Sequence, residues 1–177
     1  MLQVRPTLFY TVGYPGAGKT TFARKLSCEL KLIHLYGDKV GYELFGRPNF
    51  SANQIELVHS KMSALASYHL AQNTSVLYDC LNSTVHQRDK LRLLAGNRQA
   101  IGIWIDTPQD IARKRAGKIR ISEFAENYFR MIPDSLFDRY LAVFEAPGCN
   151  EKVLRISGAE PYEAQLAAFT AQLQTML

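Results

Sequence analysis

One glycine-rich stretch constrains the fold of this 177-residue chain more than any other. Residues 13–20 read Gly-Tyr-Pro-Gly-Ala-Gly-Lys-Thr, which matches the G-x-x-x-x-G-K-T pattern of a phosphate-binding P-loop. The apolar run at 8–12 predicts a buried strand before the loop, and residues 21–26 predict a helix after it. This strand, loop and helix favour a phosphate site over a glycine turn followed by a chance Lys-Thr.

Each residue type in the loop suits one chemical task. Gly13, Gly16 and Gly18 let the backbone bend and bring its N–H groups close to phosphate oxygens. Lys19 can reach the β- and γ-phosphates, and the hydroxyl of Thr20 can hold Mg²⁺. The helix that follows points its positive end at the same anion. The sequence therefore predicts a nucleoside triphosphate site formed by Gly13, Tyr14, Pro15, Gly16, Ala17, Gly18, Lys19, Thr20 and Thr21.

The composition indicates one globular domain. Hydrophobic residues make up 47% and charged residues 21% of the chain, which is ordinary for a folded protein. We expect one domain across residues 1–177 and no membrane contact, because no apolar run approaches the ~20 residues of a membrane span. A strand that begins near residue 7 leaves no room for a signal peptide ahead of it. The net charge of +5 suits a phosphorylated ligand but is too small to indicate nucleic-acid binding.

The cysteines indicate a reducing compartment. Cys28, Cys80 and Cys149 are scattered and form no C-x-x-C pair. This pattern favours free thiols over structural zinc or a disulfide framework. We therefore expect a cytoplasmic protein without a disulfide-linked partner.

Apolar runs alternate with helical patterns along the whole chain. This alternation predicts an α/β fold in three layers, with a five-stranded parallel sheet, helices on both of its faces and right-handed crossovers. The predicted strands cover about residues 7–12, 32–36, 75–80, 100–105 and 152–156. Among the predicted helices, one begins at Thr107-Pro108 with Thr107 as its N-cap, and another runs from Ser122 to Met131.

Polar residues follow several of these strands, at the sheet edge where such folds bind ligands. Asp38 can accept the proton of an attacking hydroxyl, and it can equally serve as a helix N-cap. Asp79 can hold the water shell of Mg²⁺, or it can orient a substrate hydroxyl or Arg88. Asn82 follows in the same loop, where Asn often only makes a turn. Asp106 is best interpreted as part of a helix start.

A basic stretch follows the fourth predicted strand. It contains no acid, and it is either an ordinary solvated helix face or a lid that closes over the nucleotide. Arginines in a lid can neutralise the charge that develops on a transferring phosphoryl group. The positive charges of this stretch are Arg113, Lys114, Arg115, Lys118 and Arg120.

Several aromatic and histidine side chains near the predicted site are expected to pack in the core rather than to bind a ligand or to react. The sequence leaves open whether Tyr36, Tyr42 and Phe45 line a pocket or simply pack, and packing is the favoured interpretation. His69 ends the apolar stripe of the long helix that follows Ser51, so we expect a histidine at the edge of the core.

Several segments, taken in their order along the chain, resemble small P-loop kinases of the AAA-family ATP-binding type. These kinases are related to polynucleotide 5′-hydroxyl kinases, zeta toxins and chloramphenicol phosphotransferases in the adenylate-kinase-like branch. The segments that carry the resemblance are Gly13 to Arg24, Tyr36-Gly37-Asp38, Tyr78-Asp79-Cys80-Leu81-Asn82 with Arg88, Ile105-Asp106-Thr107-Pro108, the basic stretch and Phe144-Glu145-Ala146-Pro147.

The resemblance implies a P-loop NTPase fold with strand order 2-3-1-4-5 and a short lid at about residues 113–122. It also implies ATP and Mg²⁺, and transfer of the γ-phosphoryl group to a hydroxyl. For catalysis it implies Asp38 as the base, Lys19 as the phosphate anchor, and Arg113 and Arg115 as lid residues. For binding it implies that Arg120 contacts the nucleotide and that Asp38, Asp79, Asn82 and Arg88 contact the substrate. Thr20 and Asp79 would bind the metal.

Two positions in the sequence narrow the choice of acceptor. Gly41 stands where relatives that act on nucleic acid often carry Arg, three residues after the catalytic Asp. A small molecule is therefore favoured over a nucleic-acid end. A nucleoside monophosphate is disfavoured because Arg47 is the only arginine between residues 39 and 72. The alternative from another class is a regulatory or toxin–antitoxin nucleotide-binding module without a small-molecule acceptor.

Overall fold

The computed structural model describes residues 6–46, 48, 51–118, 120–121 and 129–176, with the backbone alone at 120–121 and 129–130. Strands and helices alternate over most of this length. In chain order the elements are β1 (Thr7–Val12), α1 (Lys19–Leu30), β2 (Ile33–Tyr36), α2 (Gly37–Phe45), α3 (Ala52–Ala71), β3 (Val76–Asp79), α4 (Val85–Ala95), β4 (Gln99–Asp106), α5 (Gln109–Ala116), β5 (Arg120–Ile121), β6 (Phe129–Arg130), α6 (Asp134–Ala142), β7 (Val153–Ser157) and α7 (Tyr162–Met176).

The main sheet has the order β2-β3-β1-β4-β7, and all its neighbouring strands are parallel. Counted along the chain, these five strands have the predicted order 2-3-1-4-5, so the predicted fold is confirmed. In the centre of the sheet, Phe9 pairs with Leu77 on one side and with Ile101 on the other. The loop that follows β1 therefore leaves the middle of the carboxyl edge of the sheet.

Two hydrophobic cores hold the helices against the sheet. On one face α1 and α7 pack with Phe22, Leu26 and Phe169. On the other face α3 and α4 bury Met62 and Leu91 against β1 and β3. All six residues of β1 are buried, as a continuous apolar run covered on both faces requires. Each fully buried large apolar side chain contributes ~2 kcal/mol to the free energy of unfolding.

Two predicted helices need correction, one at its start and one at its end. Pro108, not Thr107, is the N-cap of α5, and the helix begins at Gln109. The Thr107 hydroxyl instead donates to the carbonyl oxygen of Ala17 in the glycine-rich loop, at 2.8 Å. The helix predicted from Ser122 to Met131 is wrong at its end, because residues 129–130 form β6, antiparallel to β5. Residues 122–128 lie outside the described residues.

The long helix α3 begins as predicted, with Ser51 as N-cap accepting from the backbone N–H of Gln54. Helix α3 has 20 residues, yet neither it nor another helix in the described part of the chain is long and apolar enough to cross a bilayer. His69 near its end is half-buried, as expected of a histidine at the core edge.

Candidate active site

The glycine-rich loop between β1 and α1 is shaped by close backbone packing. Gly13 and Gly16 have positive φ angles of 141° and 78°, which other residues rarely adopt. A Cβ atom on Gly16 would lie 2.2 Å from the carbonyl oxygen of Ala112 and 2.8 Å from the backbone nitrogen of Ala116. The loop can therefore lie against α5 only because this residue has no side chain.

The Lys19 ammonium lies beneath the loop. Its Nζ donates to the carbonyl oxygens of Gly13 at 3.0 Å and Tyr14 at 2.7 Å, and the residue is 8% exposed. Gly18 is the N-cap of α1, and the first turn of this helix contains no acid. A positive helix end, backbone N–H groups and one ammonium thus converge on the same space, which suits a polyphosphate.

A layer behind the loop fixes its position. Besides the bond from Thr107, Gly158 fits tightly, since a Cβ atom there would lie 2.6 Å from the carbonyl oxygen of Ala17. Arg115 donates from Nη1 to the carbonyl oxygen of Gly158, at 2.7 Å. This arginine therefore connects α5 with the loop after β7, and the structure does not give it the predicted place in a lid.

The predicted lid needs correction at its start. Residues 113–116 form the last turn of α5. Arg113 forms ion pairs with Asp134 and Asp138 of α6, and its guanidinium lies 4.5 Å from the centre of the Phe137 ring. The Arg113 side chain thus faces α6 rather than the nucleotide loop. The side chain of Arg120 lies outside the described residues.

Asp38 lies in the first turn of α2, directly after β2. Tyr36 is the N-cap of this helix, so the alternative role of Asp38 as the N-cap is wrong. The Tyr36 hydroxyl donates to Oδ2 of Asp38, at 3.1 Å. The carboxylate lines the same cavity as the glycine-rich loop, where a base for an attacking hydroxyl is needed.

Asp79 ends β3 and is 2% exposed. Its Oδ1 accepts from the Thr11 hydroxyl at 3.1 Å, and its Oδ2 lies 3.1 Å from Nε2 of His34. The carboxylate is thereby held from two sides at the rim of the cavity. Two partners leave lone pairs on its oxygens for a further contact, such as a metal-bound water.

The part that β2 plays in this site was not predicted from the sequence. His34 and Tyr36 lie two residues apart, on one face of the strand, with ring centres 6.0 Å apart and planes inclined by 20°. His34 meets Asp79 and Tyr36 meets Asp38, so one edge strand orients both acids. The period of two along a strand could have revealed this pair.

Asn82 and Arg88 lie behind the cavity wall, against prediction. Asn82 has a positive φ of 44°, and its Nδ2 donates to the carbonyl oxygen of Thr11, at 2.9 Å. Arg88 is fully buried, donates to both carboxylate oxygens of Glu151 at 2.7 and 2.9 Å, and reaches the carbonyl oxygen of Asn82 at 3.2 Å. Neither side chain is among those that line the cavity, so both support the loop after β3.

The Glu151 carboxylate is the negative charge that pairs with Arg88 and Arg92 in this buried network. Burial alone would raise the pKa of its carboxyl, but hydrogen bonds from Arg88, the Gly148 N–H and Arg92 lower that pKa to about 2. The network joins α4 to the segment before β7. By contrast, Asp106 lies outside the cavity and accepts from Nε of Arg155, at 2.8 Å.

One cavity of about 620 Å³ extends from the loop to the groove between α2 and α3. Tyr36, Tyr42 and Phe45 line it, so their interpretation as packing residues is wrong. Its walls come from the loop and α1, from the end of β2 with α2, from α3, from the segment after β3, and from α5, α6 and their flanks: Pro15, Gly16, Gly18, Lys19, Thr20, Thr21, Arg24, Tyr36, Gly37, Asp38, Gly41, Tyr42, Phe45, Pro48, Gln54, Ile55, Val58, His59, Asp79, Cys80, Leu81, Ser83, Thr84, Gln87, Ala116, Ile132, Tyr140 and Val143.

The possible metal ligands in this cavity fit Mg²⁺ better than a metal whose ligands all come from the protein. Within residues that the structure describes, no three His, Cys, Asp or Glu side chains cluster as metal ligands. Thr20 and Asp79, a hydroxyl and a carboxylate, both line the cavity beside the phosphate cradle. Mg²⁺ in phosphate sites takes one or two such groups, together with phosphate oxygens and waters.

Comparison with sequence families gives one match that covers most of the chain. The profile of a family described as an AAA domain matches residues 8–147. No functionally curated protein matches the sequence significantly.

Comparison with solved structures finds the same fold over nearly the whole chain. A gluconokinase from Sinorhizobium meliloti 1021 has a TM-score of 0.70 at 18% identity, over 98% of this chain and 95% of that chain. The Mycobacterium tuberculosis APS kinase, solved with AMPPNP and APS, has a TM-score of 0.66 at 16% identity, over 97% and 99%. A chain of the Pnkp1/Rnl/Hen1 RNA repair complex has a TM-score of 0.63 at 25% identity, over 79% of this chain and 44% of that chain.

Proposed function

This chain belongs to the AAA-domain family, and we propose that it is an ATP-dependent kinase that transfers the γ-phosphoryl group to a hydroxyl of a small molecule. One observation carries the proposal: the P-loop and the Asp38 carboxylate line a single cavity. The gluconokinase and APS kinase among the similar structures are phosphotransferases by name, which supports the reaction class.

The donor side consists of the loop and α1. The backbone N–H groups of residues 13–20, except at Pro15, bind the phosphates of ATP, and Lys19 moves its ammonium from two loop carbonyls to the β- and γ-phosphates. Thr20 and Asp79 would hold Mg²⁺, which neutralises phosphate charge when it is bound. The whole chain, residues 1–177, acts as one domain.

The acceptor side is organised by Asp38. Its carboxylate accepts the proton of the substrate hydroxyl as that oxygen attacks the γ-phosphorus. The Tyr36 hydroxyl, which donates to Oδ2, helps to fix the position of the carboxylate. Position and charge supply most of the rate in phosphoryl transfer, so small displacements of this group are costly.

We propose that the lid lies after α5, within the part of the predicted lid at about residues 117–122, since Ala116 at the end of that helix lines the cavity. The backbone N–H of Ile132, which also lines the cavity, donates to the carbonyl oxygen of Ala116, at 3.0 Å. Arg120 remains the lid arginine proposed to reach the nucleotide. Arg113 and Arg115 then act through the position of α5 rather than on the phosphoryl group.

The test is transfer of label from γ-labelled ATP into fractionated cell extract. We expect Asp38→Asn to keep ATP binding and to lower transfer by ~10² or more, because the proton of the hydroxyl loses its acceptor. Glu56→Gln, an exposed change on α3, is the matched control and should leave transfer unchanged.

Two results would count against the proposal. Full kinase turnover in Asp38→Asn would contradict the assignment of Asp38 as the catalytic base. Label found only as free phosphate, equally for both proteins, would favour the regulatory nucleotide-binding module instead.

A further inference from the structure

One face of α2 forms a continuous part of the cavity wall. Asp38, Gly41, Tyr42 and Phe45 occupy positions i, i+3, i+4 and i+7 of this helix, and all of them line the cavity. Residues at this spacing share one helix face, with neighbouring Cβ positions about 5–6 Å apart. Gly41 therefore lies one turn beyond Asp38. An acceptor whose hydroxyl reaches Asp38 and whose body extends into the groove between α2 and α3 passes over Gly41.

The backbone conformation of α2 does not require a glycine at position 41. Gly41 lies in the middle of the helix, and its φ angle is outside the left-handed region that favours glycine. A glycine inside a helix is less favourable than an alanine, because it loses more backbone freedom on folding. Gly41 thus weakens α2 without any gain in backbone geometry.

Packing against neighbouring residues does not require this glycine either. A Cβ atom on Gly41 would lie 3.5 Å from Cγ2 of Val58 and 3.9 Å from Cβ of Pro48, which are ordinary van der Waals distances. Gly37 in the same helix is different, because a Cβ atom there would lie only 3.1 Å from Sγ of Cys80. Close packing therefore explains Gly37, whereas an alanine would fit at position 41.

The missing side chain at position 41 leaves room inside the cavity. Gly41 lines the cavity, and so does Val58, which faces it from α3. Because a Cβ atom at position 41 would already contact Val58, a larger side chain there must enter the cavity or displace α3. Tyr42 and Phe45 continue the wall on the same face of α2. The glycine therefore adds space between the proposed base and these aromatic rings.

We infer that Gly41 is a specificity-determining residue of the acceptor site, which rests on the proposed function. The body of the acceptor lies against the backbone at Gly41 while its hydroxyl meets the Asp38 carboxylate. Because one helical turn separates the two residues, the group at Gly41 lies within a few bonds of the reacting oxygen. The favoured acceptors are alcohols that are bulky close to the reacting hydroxyl, such as those with a ring, since a slender chain does not need this room.

Substitutions at position 41 test this role through binding. The probe is the small-molecule fraction of a cell extract, which is dialysed against the protein with AMPPNP and Mg²⁺, and mass spectrometry quantifies the alcohols that the protein retains. We expect Gly41→Val to lower this retention about tenfold or more and Gly41→Ala to lower it about threefold, because the added atoms occupy the place of the acceptor. Gly41→Ala should also raise the urea midpoint of unfolding.

Two controls separate a loss of space from a loss of fold. Leu44→Val introduces the same side chain into α2 at an exposed position outside the cavity wall, and it should leave retention unchanged. Hydrolysis of ATP, with water as the acceptor, is the second control. Water is small enough to reach the γ-phosphate in each variant, so Gly41→Val should bind and hydrolyse ATP as the unmodified protein does.

The outcomes distinguish this inference from the proposed function. Equal retention by Gly41→Val and the unmodified protein, an equal loss in Leu44→Val, or retention of no alcohol or of slender chain alcohols alone would overturn the inference. If Gly41→Val also loses ATP binding, Gly41→Ala decides, and unchanged retention there would overturn the inference as well. A bulky alcohol that is retained as expected but takes no label from γ-labelled ATP would uphold the role of Gly41 and count against the kinase.

Discussion

At the scale of single residues, the site depends on pairs rather than on isolated acids. Asp38 and Asp79 each have an aromatic-ring partner on β2 that fixes the carboxylate. A buried carboxylate such as Asp79 needs its hydrogen bonds, because an unsatisfied charged group in a poorly solvated place is costly. The edge strand β2 thus determines the positions of both carboxylates.

His34→Phe tests this pairing. The phenyl ring keeps the stacking on Tyr36 but removes the partner of Oδ2 of Asp79. We expect kcat to fall about tenfold or more while the Kd for ATP changes less than about threefold, because position rather than binding is lost. Steady-state kinetics and equilibrium titration measure the two quantities.

His69→Phe is the control for that change, since His69 is also half-buried but lies near the end of α3. A decrease in kcat of the same size in both variants would show that the His34 effect is a general loss of packing.

At the scale of elements, α4 and the segment before β7 are held by one buried ion network. Arg88 is fully buried and Glu151 side-chain exposure is only 6%, so each charge depends on the other. Removing one member of such a pair leaves an uncompensated charge in the interior. The same arginine holds the carbonyls of Asn82 and Ser83, which connects this network to the cavity wall.

The Glu151 network predicts an acid-sensitive fold. The pKa of Glu151 is about 2 in the folded chain against an ordinary 4.5, so its stabilising effect is complete above the ordinary value and is lost as pH falls from 4.5 toward 2. This difference corresponds to about 3 kcal/mol of unfolding free energy. Glu151→Gln should lose a comparable amount at pH 7, ~3 kcal/mol.

Urea unfolding at several pH values measures that prediction. The variant should also lose part of the slope of stability against pH below 4.5. Glu160→Gln, an exposed change in the loop after β7, is the control. An unchanged slope in Glu151→Gln would exclude the carboxylate as the origin of acid sensitivity.

At the scale of the whole molecule, the nucleotide site joins three parts of the chain. The P-loop is supported by Thr107 after β4, by Gly158 after β7 and by α5 beneath Gly16. Ligand that binds only the folded chain must therefore stabilise all three parts together. Nucleotide binding should raise the melting temperature of the entire domain.

A thermal-shift titration with ATP and Mg²⁺ tests this coupling. At 100 times Kd the expected stabilisation is about 2.7 kcal/mol, with one cooperative transition. Lys19→Ala should lose the shift because the phosphates lose their cation, whereas Lys25→Ala, an exposed lysine on α1, should keep it. A shift retained in Lys19→Ala would contradict the assigned phosphate site.

The layers, the strand alternation and the phosphate loop could be predicted from the sequence, because each follows from local residue patterns. Apolar periodicity reports which face of an element is buried, and the spacing in residues 13–20 fixes which backbone groups can surround a phosphate. The strand order came from a resemblance to known kinases, and the structure agrees with it. The positions of Asp38 and Asp79 at the carboxyl edge also follow from strands that end there.

Which side chains face the cavity depends on contacts that form only in the folded chain. Arg88 and Arg115 lie in regions that the sequence assigned to the site, yet both turn toward partners distant in the chain, Glu151 and the carbonyl of Gly158. His34 takes part because β2 lies beside β3 in the sheet, which places its ring next to Asp79. Side-chain direction depends on contacts between distant segments, and local residue patterns do not contain that information.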